Sequence, residues 1–242
     1  MVTLLMTRPL EAAHRFVAQL SDSVRDGLQV TYAPLIAVQP LDQNIDLTNV
    51  DAVIFTSSNG VSAAAGALGG AGMQAFCVGQ RTTQKAQKAG WQAEFSGATA
   101  DDLVGDLSAR GLDGELVHLR GKHTRGNISD RLQGAGINCR DQVIYDQPLQ
   151  ILTDEAKAAL SSSSDVVVPI FSPRTARQFA DLCPNDAKTH LIAMSDAVAE
   201  WLKPLNYKSL HICKTPDSQS MALEVGKVVK RLTWVESSRP AQ

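Results

Sequence analysis

Hydroxyl, amide and guanidinium side chains follow most of the short apolar runs in this chain of 242 residues. Such runs are typical of strands in parallel sheets, and ligands bind these sheets at the carboxyl ends of their strands. The groups at these positions are Arg8, residues 56–60, residues 79–82, Arg120 with Gly121, residues 172–175, and Ser195 with Asp196. Backbone N–H groups at helix starts, hydroxyl groups and arginine all bind anions. The sequence therefore predicts a binding site for carboxylates or phosphates.

Each serine or threonine of this set has a second interpretation, because a hydroxyl after a strand also caps the helix that follows. For any single residue, capping explains the pattern at least as well as ligand contact. The same residue types recur at matching places in both halves of the chain, which favours a binding role for the set as a whole.

Tyr145 ends the apolar run VIY and is a candidate for acid chemistry. A phenol can donate a proton to a departing oxygen or hydrogen-bond it. Its other interpretation is an amphipathic interface residue with an apolar ring and a solvated hydroxyl. From the residue alone, both interpretations stay open.

Several common catalytic patterns are missing from the sequence. It has no GxxxxGK[ST] phosphate loop, no GxGxxG after the first strand and no GxSxG turn, so nucleotide and hydrolase-triad chemistry have little support. The five histidines show no metal-site spacing, and the sequence predicts neither a metal nor a cofactor. His118 lies in an alternating strand pattern, which favours a packed core position.

The chain is 44% apolar and 20% charged, with a formal net charge of −2. Nucleic-acid-binding proteins are usually basic, so that class is disfavoured. The one basic cluster, Arg120, Lys122, His123 and Arg125, is short enough to be a solvated loop. Four cysteines without a CxxC pair indicate reduced thiols and a cytoplasmic protein. No apolar run is long enough to predict a signal peptide or a membrane-spanning helix.

Three pairs of segments repeat along the chain with an offset of roughly 115 residues, too long for a solenoid. The pairs are residues 4–9 with 116–121, residues 51–64 with 165–179, and residues 75–91 with 191–207. Strands and helices alternate in both halves, with about five strands each, which predicts two flavodoxin-like domains that face a common cleft. The repeat alone suggests a division near residue 113. Pro169, inside VVVPIF, predicts a bulge or a later strand start.

An ordered set of motifs resembles the uroporphyrinogen-III synthase family of tetrapyrrole biosynthesis over nearly the whole chain. The set is LLMTRP, YAPLI, DAVIFTSSNGV, FCVGQRTTQKAQKAGW, SGATADDL, LRGKHTRGNISDRLQGAG, VIYDQP, IFSPRTARQF, AMSDAVAEWL and KTPDSQSMAL. Two departures are the missing glycine in AMSDAVA and the proline in VVVPIF. The order of the set is far more specific than any single motif.

The resemblance implies an α/β fold with two flavodoxin-like parallel-sheet domains of interleaved connectivity, joined by a two-stranded linker. One domain would be discontinuous, residues 1–35 plus 148–242, and the other would be residues 36–147.

The resemblance also implies a cofactor-independent lyase that converts hydroxymethylbilane, a linear tetrapyrrole, into uroporphyrinogen III and water. The ring A hydroxyl leaves, and ring D attacks through its substituted carbon to form a spiro intermediate. That intermediate fragments and recloses with ring D inverted. The substrate carries eight carboxylates, which agrees with the predicted anion-binding groups.

By position, the resemblance makes Tyr145 the residue that assists loss of the ring A hydroxyl. Its implied substrate-binding residues are Arg8, Ser57, Asn59, Thr82, Ser172, Arg174 and Ser195, with no metal or cofactor. It further implies a cytoplasmic monomer without nucleic-acid or membrane partners, which could receive its substrate from hydroxymethylbilane synthase. The alternative is a non-enzymatic, two-lobed α/β module that senses or binds a small molecule.

Overall fold

Strands and helices alternate along the chain in the computed structural model, which describes residues 2–42, 44–68, 72–124 and 126–237. The strands are β1 (Val2–Met6), β2 (Leu28–Tyr32), β3 (Gln39–Pro40), β4 (Ala52–Phe55), β5 (Gln74–Cys77), β6 (Gln92–Phe95), β7 (Leu116–Gly121), β8 (Cys139–Asp146), β9 (Val166–Ile170), β10 (Thr189–Ala193) and β11 (Ser209–Ile212). The helices are α1 (Leu10–Gln19), α2 (Asp22–Arg25), α3 (Ser58–Leu68), α4 (Gln80–Lys88), α5 (Ala100–Arg110), α6 (Ile128–Gly134), α7 (Asp154–Ser161), α8 (Pro173–Leu182), α9 (Asp196–Leu202) and α10 (Ser218–Ser237). The predicted α/β class is confirmed.

The contacts within the chain divide it into two compact units. One unit contains the residues up to Ala37 together with those from Leu149 onward, and we call it the discontinuous unit. The other runs from Val38 to Pro148 and is called the continuous unit.

The discontinuous unit contains a five-stranded parallel sheet in the order β11-β10-β9-β1-β2. Counted along the chain within this unit, the order is 2-1-3-4-5, as in flavodoxin-like folds. Strands β1, β9 and β10 are buried at every position. Burial of both faces is expected for a parallel sheet with helices on each side, and an apolar cluster lies on each face.

The continuous unit contains a sheet in the order β3-β8-β7-β4-β5-β6, in which β3 is antiparallel to β8 and the other pairs are parallel. If the count starts at β7, its five parallel strands also follow the order 2-1-3-4-5. The two sheets are therefore circular permutations of one topology. This explains the sequence repeat, since β7, β4 and β5 match β1, β9 and β10.

A division of the chain near residue 113 is excluded by strand pairing. Strand β1 pairs with β9, so the first and last parts of the chain share one sheet. The chain passes between the units twice, and the passing segments pair antiparallel. Ile36 bridges Leu149, and the Gln150 amide donates to the Leu35 carbonyl at 2.9 Å.

Pro169 lies within β9, and the predicted bulge or later strand start is wrong. The pairing with β10 continues in register from Val166 to Ile170. Along a parallel strand, the backbone N–H groups of successive residues point alternately toward the two neighbouring strands. The Val166 N–H donates to the Lys188 carbonyl, on the β10 side. The nitrogen of Pro169 therefore faces β1, whose pairing with β9 ends at Val167. The missing N–H breaks no existing bond of the ladder.

The chain around Pro34 does not form a continuous strand. Strand β2 ends at Tyr32, before Pro34. Ile36 forms only an isolated bridge, and β3 is a separate short strand. Proline lacks the N–H that a continuous ladder requires, which accounts for the interruption.

Candidate functional site

A polar recess of about 330 Å³ lies at the carboxyl ends of the strands of the continuous unit. It is lined by Thr56, Ser57, Val78, Ala100, His123, Thr124, Ile128, Tyr145 and Gln147. Thr56 and Ser57 directly follow β4, and Val78 directly follows β5. This is the edge of a parallel sheet at which ligands bind.

Tyr145 forms part of the wall of this recess and is only 4% exposed. Its hydroxyl is hydrogen-bonded by the Ser57 side chain and by the Gly121 backbone. Burial raises the pKa of Tyr145, because an ionised phenol would lose its hydration. The phenol therefore keeps its proton at neutral pH and can donate it within the recess.

Ser57 and Asn59 lie at the start of α3, where the Ser57 side chain both caps the helix and lines the recess. The Ser57 Oγ accepts from the Asn59 amide at 3.2 Å, as a capping residue does. Ser57 also lines the recess and bonds Tyr145. Asn59 is partly buried and does not line the recess.

Thr82 belongs to the first turn of α4 and is 6% exposed. Its amide donates to the Gly79 carbonyl at 3.0 Å. Gly79 has a φ of 80°, a conformation that favours glycine and turns the chain from β5 into α4. The structure therefore places Thr82 at a strand end, as predicted, and outside the wall of the recess.

The other four predicted residues belong to the discontinuous unit, where they follow β1, β9 and β10. The Arg8 guanidinium lies 4.0 Å from the centroid of the Phe171 ring, a cation–π contact. Ser172 caps α8, because its Oγ accepts from the Thr175 amide at 3.2 Å. Arg174 is partly buried in the first turn of the same helix.

Ser195 holds the N-cap position of α9, but its side chain makes no capping hydrogen bond. Its carbonyl accepts from the Val198 and Ala199 amides, each at 3.0 Å. Ser195 and Ser172 thus occupy matching places with different uses of the hydroxyl. The Ser172 hydroxyl completes a helix end, whereas the Ser195 hydroxyl does not serve its own helix.

His118 is a buried residue whose polar partners were missed by the sequence analysis. It is 2% exposed, as predicted for a core position. Its Nε2 lies 3.2 Å from the Thr56 Oγ1, and its Nδ1 lies 3.0 Å from the Asp141 Oδ1. Thr56 belonged to the predicted strand-end set, but nothing in the spacing linked it to a histidine 62 positions away.

Asp141 is the most strongly perturbed carboxyl group of this network. Partial burial opposes ionisation, but hydrogen bonds from His118 and Ser129 stabilise the carboxylate and hold the pKa of Asp141 well below its usual range. The Arg120 Nε also lies 2.8 Å from the Asp141 Oδ2. Asp141 is therefore an ionised hydrogen-bond acceptor at neutral pH.

The basic cluster is divided between several roles. Lys122 is exposed and lies 3.5 Å from Asp146, as expected for a solvated loop. His123 lies 3.4 Å from the same carboxylate and also lines the recess. Arg120 pairs with Asp141, and Arg125 lies outside the described residues.

Neither a metal-binding cluster nor a membrane-spanning helix occurs in the part of the chain that the structure describes. No three His, Cys, Asp or Glu side chains come together there as a metal site would require. No helix among those residues has the length and apolar character needed to cross a membrane.

The comparisons with known proteins agree on one family. The family model described as uroporphyrinogen-III synthase HemD matches residues 17–222. No match was found among curated proteins. A solved structure of uroporphyrinogen-III synthetase from Helicobacter pylori is 16% identical, with a TM-score of 0.67 over 95% of this chain and all of the other.

A mutant uroporphyrinogen III synthase from Thermus thermophilus is 14% identical, with a TM-score of 0.52 over 96% of this chain and 99% of the other. At these identities the solved structures support the two-domain α/β fold. Because the family model covers most of the chain, the chain belongs to the uroporphyrinogen-III synthase family of tetrapyrrole and haem biosynthesis.

Proposed function

We propose that this chain carries out the family reaction as a cofactor-independent lyase, in which Tyr145 assists departure of the ring A hydroxyl. The reaction converts hydroxymethylbilane into uroporphyrinogen III and water. The observation that carries the proposal is the buried phenol of Tyr145, hydrogen-bonded by Ser57 in a polar recess at strand carboxyl ends. A protonated, oriented O–H group is what a departing hydroxyl requires.

The proposed chemistry needs little from the protein beyond orientation and proton transfer. The lone pair of the ring A pyrrole nitrogen expels the hydroxyl, which leaves as water with a proton from Tyr145. The resulting azafulvene is attacked by ring D. Positioning of the two rings then selects closure through the substituted carbon of ring D over simple closure. Water-poor surroundings strengthen the hydrogen bond from Tyr145 as charge develops.

The predicted substrate-binding residues are proposed to bind acetate and propionate groups. In the continuous unit these are Ser57, Asn59 and Thr82, and in the discontinuous unit they are Arg8, Ser172, Arg174 and Ser195. Their positions after strands, beside helix N-termini, support this role, because N–H groups and hydroxyls there stabilise carboxylates. The Ser195 hydroxyl makes no capping hydrogen bond, unlike the hydroxyls of Ser57 and Ser172.

We further propose that the two domains comprise residues 1–35 plus 148–242 and residues 36–147. The compact units, with boundaries near 37 and 148, support this division. The protein is proposed to act as a cytoplasmic monomer that can receive its substrate from hydroxymethylbilane synthase.

The test is an isomer assay with the purified chain in the presence of a metal chelator. Hydroxymethylbilane is supplied, the product is oxidised, and isomers I and III are separated. We expect mainly isomer III, whereas a control without protein gives isomer I by simple closure. A product mixture equal to that control would contradict the proposal, and tight binding without turnover would favour the two-lobed sensor module.

A further inference from the structure

A line of hydrogen bonds connects the recess with the surface of the continuous unit. It starts at Thr56, which lines the recess, and passes through the buried His118 to Asp141. His118 is 2% exposed, whereas the Asp141 side chain is 33% exposed. The imidazole therefore joins the hydroxyl of a residue that lines the recess to a carboxylate in contact with water.

The proton positions along this line follow from the charge of Asp141. An ionised carboxylate can only accept hydrogen bonds, so His118 donates to it from Nδ1. In the tautomer that carries its proton on Nδ1, the Nε2 atom is an acceptor, and the Thr56 hydroxyl donates to it. Hydroxyl, imidazole and carboxylate in this order form the arrangement that draws a proton from a hydroxyl toward the imidazole.

The surroundings of His118 favour a transient positive charge on its ring. Strand β4 and helix α3 bring no ionisable side chain to it. From β8, burial raises the pKa of Cys139 to about 11, so that this thiol stays neutral beside Asp141. From α6, Ser129 donates to Asp141, and from β7 the Arg120 guanidinium pairs with it. The charged side chains of α6, Asp130 and Arg131, are exposed.

The matching positions of the discontinuous unit hold one apolar and two aromatic side chains. Strands β1, β2 and β9 there correspond to β7, β8 and β4. The residues in the places of His118, Asp141 and Thr56 are Met6, Tyr32 and Phe171. Met6 belongs to the apolar cluster of this sheet, and the partly buried Tyr32 and Phe171 pack against it. The shared topology therefore does not require polar groups at these positions.

Stability is a poor explanation for the polar line in the continuous unit. Burying an imidazole and a hydroxyl costs hydration, and apolar residues in place of buried ionic pairs are often neutral or stabilising. At the matching positions, the discontinuous unit forms the same sheet topology with Met6, Tyr32 and Phe171 packed in or against an apolar cluster. A role in the reaction explains why this line ends at a residue in the wall of the recess.

The family reaction requires one proton to be removed as well as one to be supplied. When the spiro intermediate has fragmented and ring D recloses, the new bond forms at the ring D carbon that carries hydrogen. That carbon must lose its proton for the pyrrole to become aromatic again. Tyr145 supplies its proton at the ring A hydroxyl and recovers one from solvent, whereas the second proton leaves from a carbon of ring D, for which Thr56 in the wall of the recess offers a separate acceptor.

We propose that Thr56 is the catalytic group that accepts this ring D proton, with His118 and Asp141 as positioning residues behind it. The C–H electrons return to the pyrrole ring as the Thr56 oxygen takes the proton, while the Thr56 hydroxyl proton passes to His118 Nε2. The imidazolium is stabilised by Asp141 until it releases its proton to solvent. One proton leaves and one is supplied, so the overall reaction releases only water. The inference rests on the proposed function.

The test compares His118→Gln with a matched control, His190→Gln. Glutamine keeps hydrogen bonds but cannot take up a proton. His190 is 5% exposed and also bonded through both nitrogens, to Ser209 and Asp165, but it belongs to the discontinuous unit. Rates of isomer III formation are measured across pH, with substrate carrying hydrogen or deuterium at the unsubstituted ring D carbon.

For His118→Gln we expect kcat to fall roughly 10²-fold with little change in KM, as for loss of a general base. The pH dependence of kcat in the variant differs from that of the wild type, because the side chain that takes up the proton has been replaced by one that cannot. The deuterium effect is larger in the variant, because proton removal has become slower. His190→Gln keeps the wild-type pH profile and isotope effect.

Thr56 provides a second test if His118→Gln does not fold. Thr56→Val, which removes the hydroxyl at similar volume, is expected to slow kcat as His118→Gln does, and Thr56→Ser to retain most of the rate. A wild-type pH profile and isotope effect in His118→Gln, or equal rates for Thr56→Val and Thr56→Ser, would overturn the proposal. Formation of isomer I alone by the wild type would instead remove the proposed function, so the two failures are distinguishable.

Discussion

The ring of Tyr145 lies directly against the backbone of Gly121. A Cβ added at Gly121 would be 2.6 Å from two ring carbons of Tyr145 and 2.9 Å from its hydroxyl oxygen. Carbon atoms do not approach each other this closely without displacement. Glycine at position 121 is therefore required for the observed place of the phenol beside Ser57.

Gly121→Ala is expected to displace the Tyr145 ring and to reduce both activity and stability. Overpacking of a filled interior typically costs about 1–3 kcal/mol of unfolding free energy. The measurements are urea unfolding and the rate of isomer III formation. Gly105→Ala in α5 is the control, because nothing lies within 4 Å of its added Cβ. Equal activity of both variants would show that the exact place of the phenol is unimportant.

Substitutions at Ser172 separate helix capping from substrate binding. Aspartate caps as well as serine does, whereas alanine costs about 1 kcal/mol. We expect Ser172→Asp to keep the wild-type unfolding free energy but to raise KM, since its charge repels the substrate carboxylates. Ser172→Ala should lose stability with a smaller rise in KM.

The matched control is Thr153→Asp. Thr153 caps α7 by accepting from the Ala156 amide, and it has no predicted substrate role. If Thr153→Asp raised KM as much as Ser172→Asp, the effect would be one of overall charge, and the binding role of Ser172 would be wrong.

His190 makes the folded protein less stable in mild acid. Burial lowers its pKa, although the hydrogen bond that His190 donates to Asp165 opposes this. The unfolded chain, with an ordinary pKa of about 6.5, binds more protons than the folded chain below that pH. The contribution of neutral His190 to the free energy of unfolding is therefore fully present above a pH of about 6.5 and is lost as the pH falls below that value.

We expect the wild type to lose more unfolding free energy than His190→Gln when the pH is lowered from about 7.5 to about 5.5, a window that brackets the ordinary histidine pKa. Urea denaturation at the two pH values measures this difference. An equal loss in both proteins would show that other groups, such as His211, account for the acid sensitivity. Burial lowers the pKa of His211 in the same direction.

The α/β class and the strand ends were accessible from the sequence because they depend on local patterns. Short apolar runs followed by small polar residues indicate buried strands with helix starts behind them, as at Thr56 and Ser172. The division of strands between the two sheets was not accessible from the repeat. Tandem copies show which strands match, but not whether β1 pairs with β9 or with a strand of its own half.

The partners of His118 and the position of Pro169 depend on contacts far apart in the chain. Thr56 and Asp141 meet His118 only through the order β8-β7-β4. Pro169 is tolerated because its nitrogen faces β1, whose pairing with β9 ends at Val167, and strand register decides this direction. Composition and spacing contain neither kind of information.

The rate of isomer III formation by Tyr145→Phe shows whether this phenol assists loss of the ring A hydroxyl, with Tyr207→Phe as a control in the other unit. Both variants are first compared with the wild type by urea unfolding. We expect Tyr145→Phe to fold and to slow kcat by roughly 10²-fold, the lower end of the range for lost proton transfer, while Tyr207→Phe keeps its rate. A wild-type kcat in Tyr145→Phe would contradict the proposed role of the phenol and leave Tyr145 a packing residue.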